Sequence, residues 1–116
     1  MKDCIFCKIV AGSIPSKKLG ESEHLIAISD IQGQAPFHAL IIPKVHKSSL
    51  NDLDSADRAK FLPEMYSLAD ELASKSGFRE QGYRTVINNQ SMAGQTVFHL
   101  HMHVLSGAQL KGSFGA

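Results

Sequence analysis

The sequence predicts an α+β protein with a mostly antiparallel sheet. Three observations carry that prediction: a short apolar stripe of helical spacing near the start, a much longer one in the middle, and β-rich runs grouped in pairs after each. At 116 residues the chain has the size of one ordinary domain, expected to span 1–116 around a single core.

The elements follow in order. CIFCKIVAG places Ile5, Phe6, Ile9 and Val10 on a helical stripe that Gly12 ends and Pro15 keeps from resuming. HLIAISD (24–30) and HALIIPK (38–44) read as strands, and Gly33 and Pro36 between them mark a connection between antiparallel neighbours. From Ser55 to Ser76, Ala59, Leu62, Met65, Ala69 and Leu72 trace one face of the longest helix, with Asp54 as N-cap and Gly77 as stop. Pro63 lies inside this stretch and predicts a kink, or a helix that begins near Leu62. YRTVINN (83–89) and TVFHLHMHVL (96–105) give two further strands joined by QSMAG.

Hydrophobic residues at 43%, charged residues at 20% and a formal net charge of +1 describe a globular protein that does not hold DNA or RNA by bulk electrostatics. No apolar run approaches the ~20 residues that span a bilayer, and the start lacks the pattern of a secretory signal, so a cytoplasmic location without membrane attachment is expected. The two cysteines, Cys4 and Cys7, have C-x-x-C spacing, which in that setting points to a metal site or a redox pair rather than a structural disulfide. Metal is favoured, because a thioredoxin-type motif follows a strand and none precedes this one.

VFHLHMHVL sets three of the six histidines at every second position. Strand alternation puts His99, His101 and His103 on one face and Phe98, Leu100, Met102 and Val104 on the other, which becomes core. At ~3.3 Å per residue His99 and His103 stand ~13 Å apart, too far to share one ion with Zn–N bonds near 2.1 Å. The rings must divide their labour, with His101 flanked on both sides. Nearby Asn88, Gly94, Gln95 and Thr96 offer backbone N–H groups, an amide and a hydroxyl able to hold phosphoryl oxygens, a combination suited to phosphoryl or nucleotidyl transfer.

GQTVFHLHMHVL resembles the His-φ-His-φ-His-φ-φ motif of the histidine triad superfamily. IFCKIVAGSIPS, AISDIQGQAPFHALIIPKVH and GYRTVINN resemble its nucleotide-binding branch over nearly the whole chain. The resemblance implies a histidine triad (HIT) fold with a five-stranded sheet, one short N-terminal helix and one long one. It implies a hydrolase cleaving purine nucleoside monophosphates from an amine or other leaving group through a covalent nucleotidyl-histidine. On that reading His101 is the nucleophile, His103 contacts the phosphate and His38 supports the triad. Asp30, with Ile31 beside it, accepts the ribose hydroxyls. Asn88, Gly94, Gln95 and Thr96 contact the phosphate and leaving group, Thr96 through its hydroxyl, and Ile5, Phe6 and Ile9 form the apolar wall for the base. Some members hold structural zinc through a C-x-x-C and two histidines, which maps onto Cys4, Cys7, His46 and His99, a tetrahedral donor set. A homodimer formed through the long helix and a sheet edge is also implied.

Three alternatives stand beside this reading: a dinucleoside polyphosphate hydrolase, a non-catalytic nucleotide-binding module, and a zinc-dependent redox switch at Cys4 and Cys7. The tail LSGAQLKG resembles the ending of the nucleotide-binding branch and speaks against the first. KGSFGA departs from the Trp-containing ends of some members, which bears on substrate preference.

Overall fold

The computed structural model describes residues 3–112, so Met1, Lys2 and the last four residues of KGSFGA lie outside the described part. Helix α1 (Ile5–Val10) leads into strands β1 (Lys18–Glu21), β2 (Leu25–Ser29) and β3 (Phe37–Pro43). Helix α2 (Ser55–Lys75) follows, then β4 (Arg84–Val86) and β5 (Met102–Ser106). The strands form one antiparallel sheet in the order β1-β2-β3-β5-β4. The α+β class, the five strands and the two helices are as expected; β1 is the strand that periodicity alone did not find.

Helix α2 runs unbroken for 21 residues, so Pro63 does not mark its start. The proline deprives the Ala59 carbonyl of its partner, but Ala59 and Pro63 are both exposed and water can serve there. Asp54 caps the first turn in a reciprocal capping box with Asp57, and Gly77 follows the last turn at φ +82°. The buried stripe is Phe61, Met65, Leu68, Ala69, Leu72 and Ala73; Leu62 is half-buried, and Ala59, expected on this face, points to solvent. Glu64 ties the helix to the β1–β2 turn by accepting the Ser22 hydroxyl at 2.5 Å, the His24 amide at 2.8 Å and the His24 ring at 2.8 Å.

The sheet has two buried faces. One carries Leu25, Ala27, Ala39, Ile41, Met102 and Val104 against α2, each large side chain contributing roughly 1.5–3 kcal/mol. The other carries Ile28, Leu40 and Ile42 against Phe6 of α1. His38 and His103 alternate with first-face residues along β3 and β5, so the sheet's pleat assigns them to this second face.

The last strand is shorter than the sequence suggests, beginning at Met102 rather than Thr96. The β3–β5 register, continued one step beyond Ile42, sets Leu100 opposite Pro43, which has no N–H to offer the ladder. The Pro43 carbonyl accepts the His99 ring at 2.9 Å, and Leu100 donates its N–H to the Lys47 carbonyl at 2.6 Å. Alternation persists through His99, Leu100 and His101, but Phe98, expected in the core, is 45% exposed. The fourth strand is likewise cut to Arg84–Val86, and a 3-10 turn at Ser91–Ala93 occupies the connection.

Candidate active site

The backbone assigns a tautomer to each ring of the row. His101 donates its Nδ1–H to the His99 carbonyl at 2.8 Å, so a neutral ring carries its lone pair on Nε2. His99 donates from Nε2 to the Pro43 carbonyl at 2.9 Å and keeps its Nδ1 lone pair for the pocket beside the cysteines. His38 Nδ1 accepts the Gln34 amide at 2.9 Å, which leaves the proton on Nε2, 2.8 Å from His103 Nδ1. That bond in turn leaves the neutral His103 with its proton on Nε2.

Two clusters stand at the ends of the row. Cys4, Cys7, His46 and His99 bring one ligand atom each within 4.8 Å of one another, a group that could bind a metal. Cys4 Sγ is 3.2 Å and Cys7 Sγ 3.5 Å from His99 Nδ1, and Cys7 Sγ is 3.3 Å from His46 Nδ1. Burial pushes the Cys7 thiol above its ordinary value, and the neighbouring Cys4 adds to this. A nearby cation would reverse that, which suits a thiol-rich metal pocket. At the other end Asp30 joins His38 and His103, with Asp30 Oδ2 3.5 Å from His38 Nε2. Burial lowers His38 below its ordinary value, against the pull of Asp30. It holds His103 down at about 4, with His101 and His38 adding to the effect.

His101 lies between the clusters, its ring centroid 5.0 Å from that of His103 and 5.2 Å from that of Phe6. It is 8% exposed and so largely sheltered from solvent. The row therefore separates, with no group common to both clusters, as the spacing argument required.

The remaining expected residues are placed unevenly. Phe6 is buried against the histidines and Ile9 packs beside it, whereas Ile5 is half-exposed and Ile31, next to Asp30, projects into solvent. Asn88 is half-buried two residues past β4, and Thr96 is exposed. Gly94 adopts φ +95°, where a side chain would be strained although nothing crowds the position. Gln95 is buried with both amide protons engaged by the Ser48 and Val97 carbonyls, at 2.8 and 3.1 Å, and its Oε1 accepts the Gln90 amide at 2.8 Å. Its side chain braces the loop, and an amide contact to a ligand would require breaking these bonds.

Several groups that position the site have no mark in the sequence. The Pro43 and His99 carbonyls and the Gln34 amide orient the rings through main-chain atoms. Gln90, at φ +74°, reaches Ser49 Oγ at 2.8 Å and closes the brace around Gln95. A cleft of about 600 Å³ opens beside the cysteines, lined in part by Cys4, Ile5, His46, Thr96, Val97 and Phe98.

One antiparallel sheet carrying a backbone-oriented imidazole row is the arrangement shared by hydrolases of the histidine triad type. The chain belongs to the HIT domain family, whose model matches residues 11–110, and it is a HIT family hydrolase. It is 38% identical over 109 residues to the purine nucleoside phosphoramidase of Escherichia coli strain K12, covering 94% of this chain and 91% of that protein. It is 42% identical over 112 residues to protein pkiA of Dictyostelium discoideum, covering 94% and 87%. Among solved structures, a histidine triad protein from Clostridium difficile is similar at a TM-score of 0.93 and 37% identity, covering 97% of both chains. A HIT family hydrolase from Legionella pneumophila Philadelphia 1 is similar at a TM-score of 0.89 and 42% identity, covering 94% and 96%.

Proposed function

We propose that the protein is a purine nucleoside phosphoramidase, a nucleotidyl hydrolase that works through a covalent intermediate on His101. The observation that carries this reading is the 2.8 Å bond from His101 Nδ1–H to the His99 carbonyl, which fixes the ring and leaves Nε2 as the nitrogen available for attack. His101 Nε2 forms a bond to the α-phosphorus as the bond to the leaving amine breaks, and the amine departs with a proton taken from solvent. Water then adds to phosphorus, the P–N bond to His101 breaks to return the imidazole, and the water's proton goes back to solvent. The His103 Nε2–H steadies a phosphoryl oxygen, and His38 holds that tautomer.

Asp30, with Ile31 at the rim, receives the ribose hydroxyls, and Ile5, Phe6 and Ile9 support the base. Asn88, Thr96 and the backbone of Gly94 meet the phosphate and leaving group, while Gln95 shapes their loop. Cys4, Cys7, His46 and His99 would hold structural zinc, whose charge would stabilise two thiolates. The preset His99 tautomer, with Nδ1 facing sulfur, supports that fit. We further propose a homodimer acting in the cytoplasm on free nucleotides rather than on DNA or RNA. Among the described residues no helix is long and apolar enough to cross a membrane.

The test is turnover by the purified protein of adenosine 5′-phosphoramidate against a diadenosine polyphosphate. Faster cleavage of the phosphoramidate is expected. The reverse order would make the protein a dinucleoside polyphosphate hydrolase, and AMP binding without turnover of either would make it a binding module.

A further inference from the structure

Helix α1 is six residues long and buries one side chain, Phe6. A helix this short has little stability of its own and must be held by tertiary contacts. Two of its residues, Cys4 as N-cap and Cys7, reach the side chains of His99 and His46. Between them in sequence, Phe6 sets the edge of its ring against both His99 and His101, with centroids at 5.8 and 5.2 Å. The same His99 whose ring faces the thiols also supplies, from its main chain, the carbonyl that orients His101. Sulfur, helix, aromatic wall and nucleophile are thus one contiguous unit.

We propose that the Cys4, Cys7, His46 and His99 centre is a latch that holds α1 over the active site, so that metal occupancy and thiol state set nucleotide affinity through Phe6. With a thiophilic cation bound, the four side chains fix α1 and Phe6 closes one wall of the pocket. Removal of the cation frees the helix. Oxidation by a peroxide does the same: the two thiols lose two electrons and two protons, one S–S bond forms between Cys4 and Cys7, and the peroxide is reduced to two waters. A disulfide has no thiolate left to meet His46 and His99, so the tether is lost. Phe6 then withdraws, and His101 becomes more accessible. The choice of nucleotide as probe rests on the phosphoramidase reading; the latch itself does not.

The test compares the full chain in three states: zinc-loaded, stripped by a chelator under a reducing agent, and oxidised with hydrogen peroxide. Three quantities are read in each: amide hydrogen exchange over residues 5–11, carbethoxylation of His101 followed by peptide mass spectrometry, and the Kd for AMP. Relative to the zinc-loaded form, exchange in α1 should be about tenfold faster in the other two states, with faster His101 modification and weaker AMP binding. Equal exchange in all three states overturns the latch, as does failure of the reduced protein to take up zinc. AMP bound equally in all three states overturns the coupling to nucleotide affinity; if exchange and His101 modification differ as expected but AMP binds in no state, the phosphoramidase reading falls while the hold on α1 and Phe6 stands. Phe6→Ala should keep its zinc while His101 modification rises in the nucleotide-free, zinc-loaded protein, and Phe6→Leu should restore most of the protection. Unchanged reactivity in a folded Phe6→Ala variant would remove Phe6 as the transmitting side chain. The three-state comparison uses the unaltered chain and decides the latch even if that variant does not fold.

Discussion

The two ends of the histidine row differ in what surrounds an identical ring. At His99 a main-chain carbonyl takes the Nε2 proton and sulfur faces Nδ1; at His103 another imidazole takes Nδ1 and a carboxylate stands nearby. One end is a thiol-rich pocket that could hold a cation, whereas the other is a pair of neutral rings beside Asp30. The residue type supplies the same chemistry at both places, and the neighbours, several of them backbone atoms, decide which nitrogen is used and for what.

Breaking the row at its centre has the largest expected effect. His101→Ala should lower hydrolysis of adenosine 5′-phosphoramidate by roughly 10⁴-fold or more while leaving metal content and fold unchanged, by assay, metal analysis and circular dichroism. A loss of metal in this variant would show that the centre and the thiol end are not separable.

The thiol end is expected to carry stability next. Cys4→Ser with Cys7→Ser should abolish zinc binding and lower Tm by on the order of 10 °C, because a cation that binds the folded chain alone stabilises it by mass action. Calorimetry with and without a chelator checks this: the unaltered protein should fall to the variant's Tm, and the variant should not respond. A chelator-insensitive Tm in the unaltered protein would leave the two ends energetically alike.

Acid should act at the carboxylate end. Burial, His101 and His38 hold His103 near 4, against an ordinary value of 6.5, and burial also lowers His38, with Asp30 the opposing charge for both. The unfolded chain therefore binds protons first as pH falls, so this contribution is complete above pH 6.5 and lost progressively toward pH 4. Urea midpoints should decline over that window, and the decline should be shallower in His103→Asn. An identical slope in that variant would assign the acid sensitivity elsewhere.

These contrasts were only partly legible in the sequence. The long helix was readable with its cap and stop because Asp54, Asp57 and Gly77 act within a turn of where they stand. β2 and β3 were readable within a residue because their β-rich runs are long enough. The alternation of His99, His101 and His103, and their division between sites, followed from strand spacing. β1 was not readable, since four residues including Gly20 carry little period. The last strand starts late where its register runs on toward Pro43, more than fifty residues away in the chain, a neighbour the local sequence does not mark. The orientation of the rings depends on carbonyl and amide groups, which every residue has and which therefore leave no sequence signature. Grouping the cysteines with His46 and His99 came from family resemblance, because the ligands lie far apart in sequence and meet only through the fold.

The smallest expected effect sharpens the comparison most, because it separates charge from shape at the carboxylate end. Asp30 Oδ1 accepts the Gln32 amide at 2.9 Å and so helps shape the turn, while Oδ2 stands 3.5 Å from His38 Nε2. Asp30→Asn keeps the volume and an acceptor but removes the charge, so it should weaken AMP binding about tenfold, the amount expected for one charge-assisted hydrogen bond to a hydroxyl. Calorimetric titration should show this with zinc content unchanged. If affinity holds but Tm drops, Asp30 serves the turn and the His38–His103 pair rather than the ribose, and the carboxylate end becomes a structural counterpart of the thiol end.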